Sequence, residues 1–409
     1  MSDASAKLAR IFRAESPRVL SSLIYYTRDL ELAEDALQDA CEQAAIKWPM
    51  QGVPDNPASW IYTVSKRKLI DKLRQNSSRR AEQTLALISD SFSHDAGVSE
   101  TAYAIGDERL RLIFTCCHPA LNEQARVALT LKTLCGLGIK QIARAYLSSE
   151  IAITQRLTRA RRKIRDGGIA YEIPDGESLE QRLPSVLAVI YLIYNESYSA
   201  YESQTLTRAD LAGEAIRLGR VLLGLLARPE VAGLLALMLF HDARREARSS
   251  LVCPYIPLEQ QDRSLWKQDA IKEGNDLLAI AMQAGKPDSF QVQAAISALH
   301  CAAKSWRQTD WPQIQLLYSS LYKLAPSPII LLNQAVAYAH GGDPEYAYSC
   351  IKALEGQLYN YQPYYAARAE VETRLSLLHQ AVASYDQAIA LSQNSTERDF
   401  LTAKRKPLE

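Results

Sequence analysis

Gly138-Ile-Lys-Gln-Ile-Ala-Arg-Ala-Tyr-Leu-Ser-Ser-Glu-Ile-Ala-Ile-Thr-Gln-Arg-Leu157 divides into two amphipathic helices around a polar break. Ile142, Ala143 and Leu147 make the apolar face of the first, and Ala143 is small where two helices would cross closely. Ser148 or Ser149 can cap the second helix, with Glu150 in its first turn complementing the dipole. Ile153 and Leu157, four residues apart, point into a core. The pattern is a helix-turn-helix, and it leaves Glu150, Ala152, Thr154, Gln155, Arg156 and Arg159 on or near the outer face. Gln and Arg can pair bidentately with purine edges in a major groove, while Arg161, Arg162, Lys163 and Arg165 suit phosphates. A plain αα-hairpin inside a helical protein is the competing reading.

Outward from this motif, apolar residues recur at three- and four-residue spacing and strand signals are nearly absent, so the chain should be all-α. At 409 residues it has room for several domains. The expected layout is a first helical block over 1–80, a linker over 81–106 around the Ser-, Asp- and Gly-bearing Ile88–Gly106, and a second block over 107–168 closing at Gly167-Gly168. A third, longer block follows over 179–409. The net charge of +1 hides a strong asymmetry. Lys66, Arg67, Lys68, Lys72, Arg74, Arg79 and Arg80 face only Asp71 in their stretch, and the basic run from Arg156 to Arg165 contains no acid. One basic helix end is often only a solvated face; two suggest two separate polyanion contacts.

The first block carries Glu31-Leu-Ala-Glu-Asp-Ala-Leu-Gln-Asp-Ala-Cys-Glu-Gln-Ala44, an amphipathic helix with Leu32, Ala36, Leu37 and Ala40 inward and Glu31, Glu34, Asp35, Gln38, Asp39 and Glu42 outward. A loop with Trp48, Pro49, Pro54 and Pro57 is expected next. Then Ala58-Ser-Trp-Ile-Tyr-Thr-Val-Ser-Lys-Arg-Lys-Leu-Ile-Asp-Lys-Leu-Arg74 interleaves aromatics with bases, a combination suited to unstacked single-stranded DNA.

Together these motifs resemble region two and region four of extracytoplasmic-function RNA polymerase sigma factors, over about residues 1–166. The resemblance implies that Glu34, Asp35, Gln38 and Asp39 dock on the clamp of the polymerase β′ subunit, with the β flap as a second contact. It implies that the loop Trp48–Ser59 captures a base flipped from the melted minus-ten element, and that Trp60, Tyr62, Lys66, Arg67, Lys68 and Arg74 line that strand. The second helix of the helix-turn-helix would read the minus-thirty-five element through Ser149, Glu150, Ala152, Thr154, Gln155, Arg156, Arg159, Arg162 and Lys163. Many members carry an Arg-Asn pair where this chain has Lys66-Arg67-Lys68, so no base preference in the minus-ten element is carried over. Such a protein is not an enzyme and needs no cofactor.

The remainder exceeds the sigma core. Ile314, Ala347 and Ala381 recur at spacings of 33 and 34, each with Tyr318 and Leu321, Ile351 and Leu354, or Tyr385 and Ala388 four and seven residues on. That resembles the second helix of tetratricopeptide repeats, whose stacked pairs usually offer a concave peptide-binding surface. Phe114-Thr-Cys-Cys-His-Pro-Ala-Leu121, Leu237-Met-Leu-Phe-His-Asp-Ala-Arg-Arg245 and Gln261-Asp-Arg-Ser-Leu-Trp266 look like a sigma subgroup with a fused tetratricopeptide-like C-terminal domain. There the extension is expected to regulate, with a peptide or protein as ligand.

Other signals point elsewhere. Seven scattered cysteines and a polar start without an apolar run indicate reduced thiols and a cytoplasmic chain. The apolar stretches Leu183–Tyr194 and Val231–Phe240 fall short of the ~20 residues a membrane span needs. Cys116, Cys117, His118 and Cys135 invite a zinc reading, but adjacent cysteines on a helix point about 100° apart, so buried packing thiols are expected and no metal. A polymerase-independent DNA-binding regulator, or a helical scaffold or enzyme, are the rival functions.

Overall fold

The computed structural model describes residues 11–12, 15–16, 19–24, 26–27, 29–75, 110–146, 148–198, 207–248, 256–392 and 395–408. The expected linker 81–106, with Arg79, Arg80, Leu147 and Cys253, lies outside them. Among the described residues every regular element is helical. The chain forms two compact units, one of residues 1–197 with 207–225 and one of 198–206 with 226–409.

In the first unit, α1 (Leu30–Gln51) starts on Asp29, whose carboxylate accepts from the backbone of Glu31 and Leu32. Ala33, Ala36, Leu37, Ala40 and Ala44 form its buried stripe, and the small side chains let α2 (Pro57–Gln75) pack closely through Ile61, Leu69 and Leu73. Helix α1 runs past Pro49 to Gln51 and stops at Gly52, whose φ of 84° lets its N–H return to the Trp48 carbonyl. The expected loop therefore shrinks to residues 52–56, and Trp48 is a buried helical residue edge-on to Trp60, ring centroids 5.3 Å apart.

A short helix α3 (residues 110–116) precedes α4 (Glu123–Thr133), α5 (Ile139–Ala145) and α6 (Glu150–Asp166). Two further helices, α7 (Gly176–Tyr198) and α8 (Thr207–Leu225), belong to the same unit. Side chains from both satisfy carbonyls that end helices before them. Arg182 donates to the Phe114 carbonyl at 3.0 Å, Ser185 to that of Cys117 at 2.8 Å, and Arg217 to that of Leu134 at 2.9 Å. The boundary expected at 179 thus falls inside the first unit, which extends to Leu225.

The second unit begins with α9 (Pro229–Ala243), where every residue from Val231 to Phe240 is buried, so the run is a core helix. Helices α10 (Gln268–Met282) and α11 (Ser289–Ala302) flank it. Gly274 permits the approach: a Cβ there would lie 2.9 Å from the Phe240 ring. After them come α12 (Trp311–Leu324), α13 (Pro328–His340), α14 (Pro344–Ala353), the single turn α15 (Glu355–Leu358), α16 (Gln362–Arg374), α17 (Leu378–Leu391) and α18 (Ser395–Arg405). Ile314, Ala347 and Ala381 each sit in the second helix of a neighbouring pair and are fully buried. The residues seven further on, Leu321, Leu354 and Ala388, are buried as well.

One buried charge ties a pair together. Glu372 on α16 is fully inaccessible and accepts from Arg368 Nε at 2.8 Å and from Ser384 Oγ of α17 at 2.7 Å. Glu372→Ala leaves Arg368 half-desolvated, with the exposed Glu355 and the Tyr364 hydroxyl as its remaining partners. A loss of about 3 kcal/mol is expected, read as an earlier unfolding transition in denaturant titration; a shift smaller than that of a surface substitution would refute it.

Candidate nucleic-acid interface

Helices α4, α5 and α6 build the helix-turn-helix around Ile142, Ala143, Ile153, Leu157 and Ala160, all buried. Of the two candidate caps, Ser149 is the one used: its hydroxyl accepts from Ala152 N at 3.1 Å. This orients the first turn so that Glu150, Thr154, Gln155 and Arg159 are exposed, with Ala152 and Arg156 half-buried beside them. Thr154 folds its hydroxyl onto the Glu150 carbonyl, and Arg159 reaches Gln155 Oε1 at 3.4 Å, which holds both bidentate-capable side chains on one face. Arg162 and Lys163 are exposed on the following turn; Arg162 pairs with Asp166 at 3.1 Å, and Lys163 donates to the Ala120 carbonyl. The surface can read base edges at its N-terminal half and meet phosphates at its C-terminal half.

The acidic face of α1 is only partly open. Asp35, Gln38 and Asp39 face outward, where Lys72 of α2 lies 3.2 Å from Asp39 and 3.9 Å from Asp35, and Gln38 bonds Glu42 at 3.0 Å. Glu34 is different. It is half-buried and bonded to Arg161 of α6, while Glu31 pairs with Arg165 at 3.3 Å. Burial pushes the Glu34 carboxyl above its usual range, against the pull of Arg161.

On α2, Arg67 and Arg74 are exposed and Trp60, Tyr62 and Lys68 half-buried. Lys66, expected on the strand-lining face, is instead buried at 2% exposure, its ammonium 5.7 Å from the Tyr26 ring and 5.6 Å from the Tyr62 ring. It falls on the same stripe as Leu69 and Leu73, and its aliphatic stem suits that position when aromatic faces receive the charge. The Glu34–Arg161 and Glu31–Arg165 pairs were missed from sequence, although acids three apart on one helix and bases four apart on another were a readable signal.

Cys116, Cys117 and Cys135 are buried. Cys116 meets Thr133 Oγ1 at 3.1 Å and Cys117 meets Thr130 Oγ1 at 3.5 Å. Burial pushes both thiols up, that of Cys117 to about 11, so they stay protonated packing groups near neutrality. Among the described residues no three His, Cys, Asp or Glu side chains converge, and no helix is long and apolar enough to cross a membrane.

Residues 11–79 match Sigma-70 region 2, residues 111–164 match Sigma-70 region 4, and residues 182–282 match a family of unknown function, DUF6596. The "Uncharacterized protein R00370" of Rhizobium meliloti is 39% identical over 388 residues, 94% of this chain and 92% of its own length. The "Probable ECF RNA polymerase sigma factor SigI" of Mycobacterium tuberculosis is 28% identical over 146 residues, 36% of this chain and half of that one. No solved structure matches. The acidic and aromatic helices and nearly all of the Ser149-capped helix thus lie inside the two matched regions: the chain belongs to one family with the Rhizobium protein and carries the region 2 and region 4 domains of sigma-70 factors.

Proposed function

We propose that the chain is an extracytoplasmic-function sigma factor that recruits core RNA polymerase to particular promoters in the cytoplasm and performs no chemistry itself. The observation that carries this reading is the Ser149-capped helix α6, which presents Gln155, Arg156 and Arg159 outward from a fully apolar base. Ser149, Glu150, Ala152, Thr154, Gln155, Arg156 and Arg159 meet the minus-thirty-five element, and Arg162 and Lys163 its phosphates. Trp60, Tyr62, Arg67, Lys68 and Arg74 hold the melted minus-ten strand, with Lys66 setting the tyrosine rings from beneath. Asp35, Gln38 and Asp39, joined by Glu34 once it is released, dock on the β′ clamp. The extension regulates this cycle, and its tetratricopeptide-like helix pairs take a peptide or protein ligand.

In vitro transcription with purified core polymerase on a genomic promoter library tests the reading. Promoter-specific transcripts are expected; no transcripts together with no co-elution with core polymerase would sink it in favour of a scaffold or a polymerase-independent regulator. Gln155→Ala and Arg159→Ala should each lower transcription from the preferred promoter by ~10- to 100-fold and relax base preference at one position, whereas Lys163→Ala should weaken all sequences alike and flatten the salt dependence. Equal losses on every sequence for all three would refute the division of labour along α6.

Control by the extension is tested by ending the chain after Leu225 rather than near Asp166, because Arg182, Ser185 and Arg217 complete the first unit. A changed transcript yield is expected. Output matching the full chain would remove the regulatory role.

A further inference from the structure

A recess in the second unit gathers side chains that are far apart in the chain. His340 ends α13, Ala366 and Glu370 belong to α16, and Lys404 lies on α18. Trp306, Tyr385 and Phe400 give the recess aromatic walls, and the turn Leu258–Gln260 lines it as well. Its volume is about 190 Å³. Sites for drug-sized ligands usually enclose ~300–1,000 Å³, so this one suits a body the size of one aromatic side chain rather than an extended peptide.

Hydrogen-bonding capacity in the recess is unbalanced. Glu370 is already shared among Arg374 at 3.5 Å, Lys404 at 3.4 Å and the Tyr385 hydroxyl. Arg374 also donates to His340 Nδ1 at 3.0 Å. A guanidinium can only donate, so Nδ1 accepts and the imidazole proton sits on Nε2. Burial, and then the positive neighbours Arg374 and Lys404, push the His340 pKa down to about 4, so the ring stays neutral near neutrality. Trp306 and Trp311 hold that ring in place, with centroids 4.8 and 5.0 Å away. His340 Nε2–H and the Trp306 indole N–H make no hydrogen bond among the described residues. The Lys404 ammonium has protons to spare beyond its long contact with Glu370 and the Phe400 ring 6.0 Å away. Arg374, Lys404 and two neutral donors thus surround a carboxylate that is already committed, while Glu259 adds an exposed negative charge to the lining.

Such a site lacks a charged acceptor, and its walls offer apolar contact. We propose that the recess binds a small organic monocarboxylate with a flat apolar body. The carboxylate meets Lys404, His340 Nε2–H and the Trp306 N–H, and the body lies against Tyr385, Phe400 and Leu401. Glu259 selects against a second negative charge. The ligand is a free small molecule, distinct from the peptide or protein proposed for the helix-pair surface, and the site does not depend on the sigma reading.

Calorimetric titration of the full chain with phenylacetate tests this. Phenylacetamide and benzylphosphonate serve as neutral and doubly charged counterparts, and N-acetyl-glycyl-phenylalanine as a peptide C-terminus. Saturable binding of phenylacetate is expected, about ten-fold tighter than that of any of the three. Lys404→Met, which keeps the aliphatic stem, should weaken it about ten- to a hundred-fold, and Lys404→Arg should restore most of it. Ala366→Leu should abolish binding by filling the recess while leaving the Lys404 charge in place, and it decides the matter if Lys404→Met unfolds the second unit. Absence of saturable binding, equal binding of phenylacetamide, or binding that survives both Lys404→Met and Ala366→Leu would overturn the proposal. Tighter binding of the peptide would assign the recess to a polypeptide terminus and overturn it as well.

Discussion

The contact between Glu34 and Arg161 joins two helices of the first unit whose paired residues lie 127 positions apart in sequence. Neither helix needs it to form. Helix α1 has its Asp29 cap and alanine stripe, and α6 has Ser149 and an apolar base. What the contact does is hold the two helices against each other and take both charges partly out of solvent. Two unit charges at hydrogen-bond range attract by about 4 kcal/mol at an effective dielectric near 20. Desolvation takes much of that back, as the upward shift of the Glu34 carboxyl shows. The more exposed Glu31–Arg165 pair adds little, on the order of 0–1 kcal/mol. The net contribution to stability is small, so the packing of the two helices rests mainly on their apolar stripes.

Helices α7 and α8 answer a different constraint. Helices α3 and α4 end in carbonyls that would otherwise face apolar surroundings, and Arg182, Ser185 and Arg217 satisfy them. Arg182 also lies over the Phe114 ring at 5.6 Å, and burial lowers its pKa without removing its charge. The Phe114–Leu121 motif, whose thiols drew attention in the sequence, is therefore a packing floor on which α7 sits. Helices α7 and α8 thus pack within the first compact unit, beyond the Gly-Gly stop at 167.

What could be read in the sequence was whatever a local period encodes. The helix-turn-helix followed from Ile153 and Leu157 four apart and a serine before an acid, and the cap and buried pair are found as read. The repeat anchors followed from spacings of 33 and 34, and all three are fully buried. The failures arose where a side chain's partner is remote. Lys66 looked like one more base in a basic run, and nothing local announces that Tyr26 receives it. Trp48 and Pro49 read as loop because proline usually breaks a helix; here α1 runs through Pro49 in its last turn, without the N–H that would bond the preceding turn, and ends at Gly52.

The same reasoning bears on the chain's near-zero net charge. Were the basic ends of α2 and α6 left without acids nearby, the free protein would bind any polyanion, since phosphate contacts supply sequence-independent affinity. Lys72 is held by Asp35 and Asp39, Arg165 by Glu31, and Arg161 by Glu34. Gln155 and Arg159 bond each other on the exposed face of α6. Acidic groups on α1 thus offset part of the positive charge carried by α2 and α6.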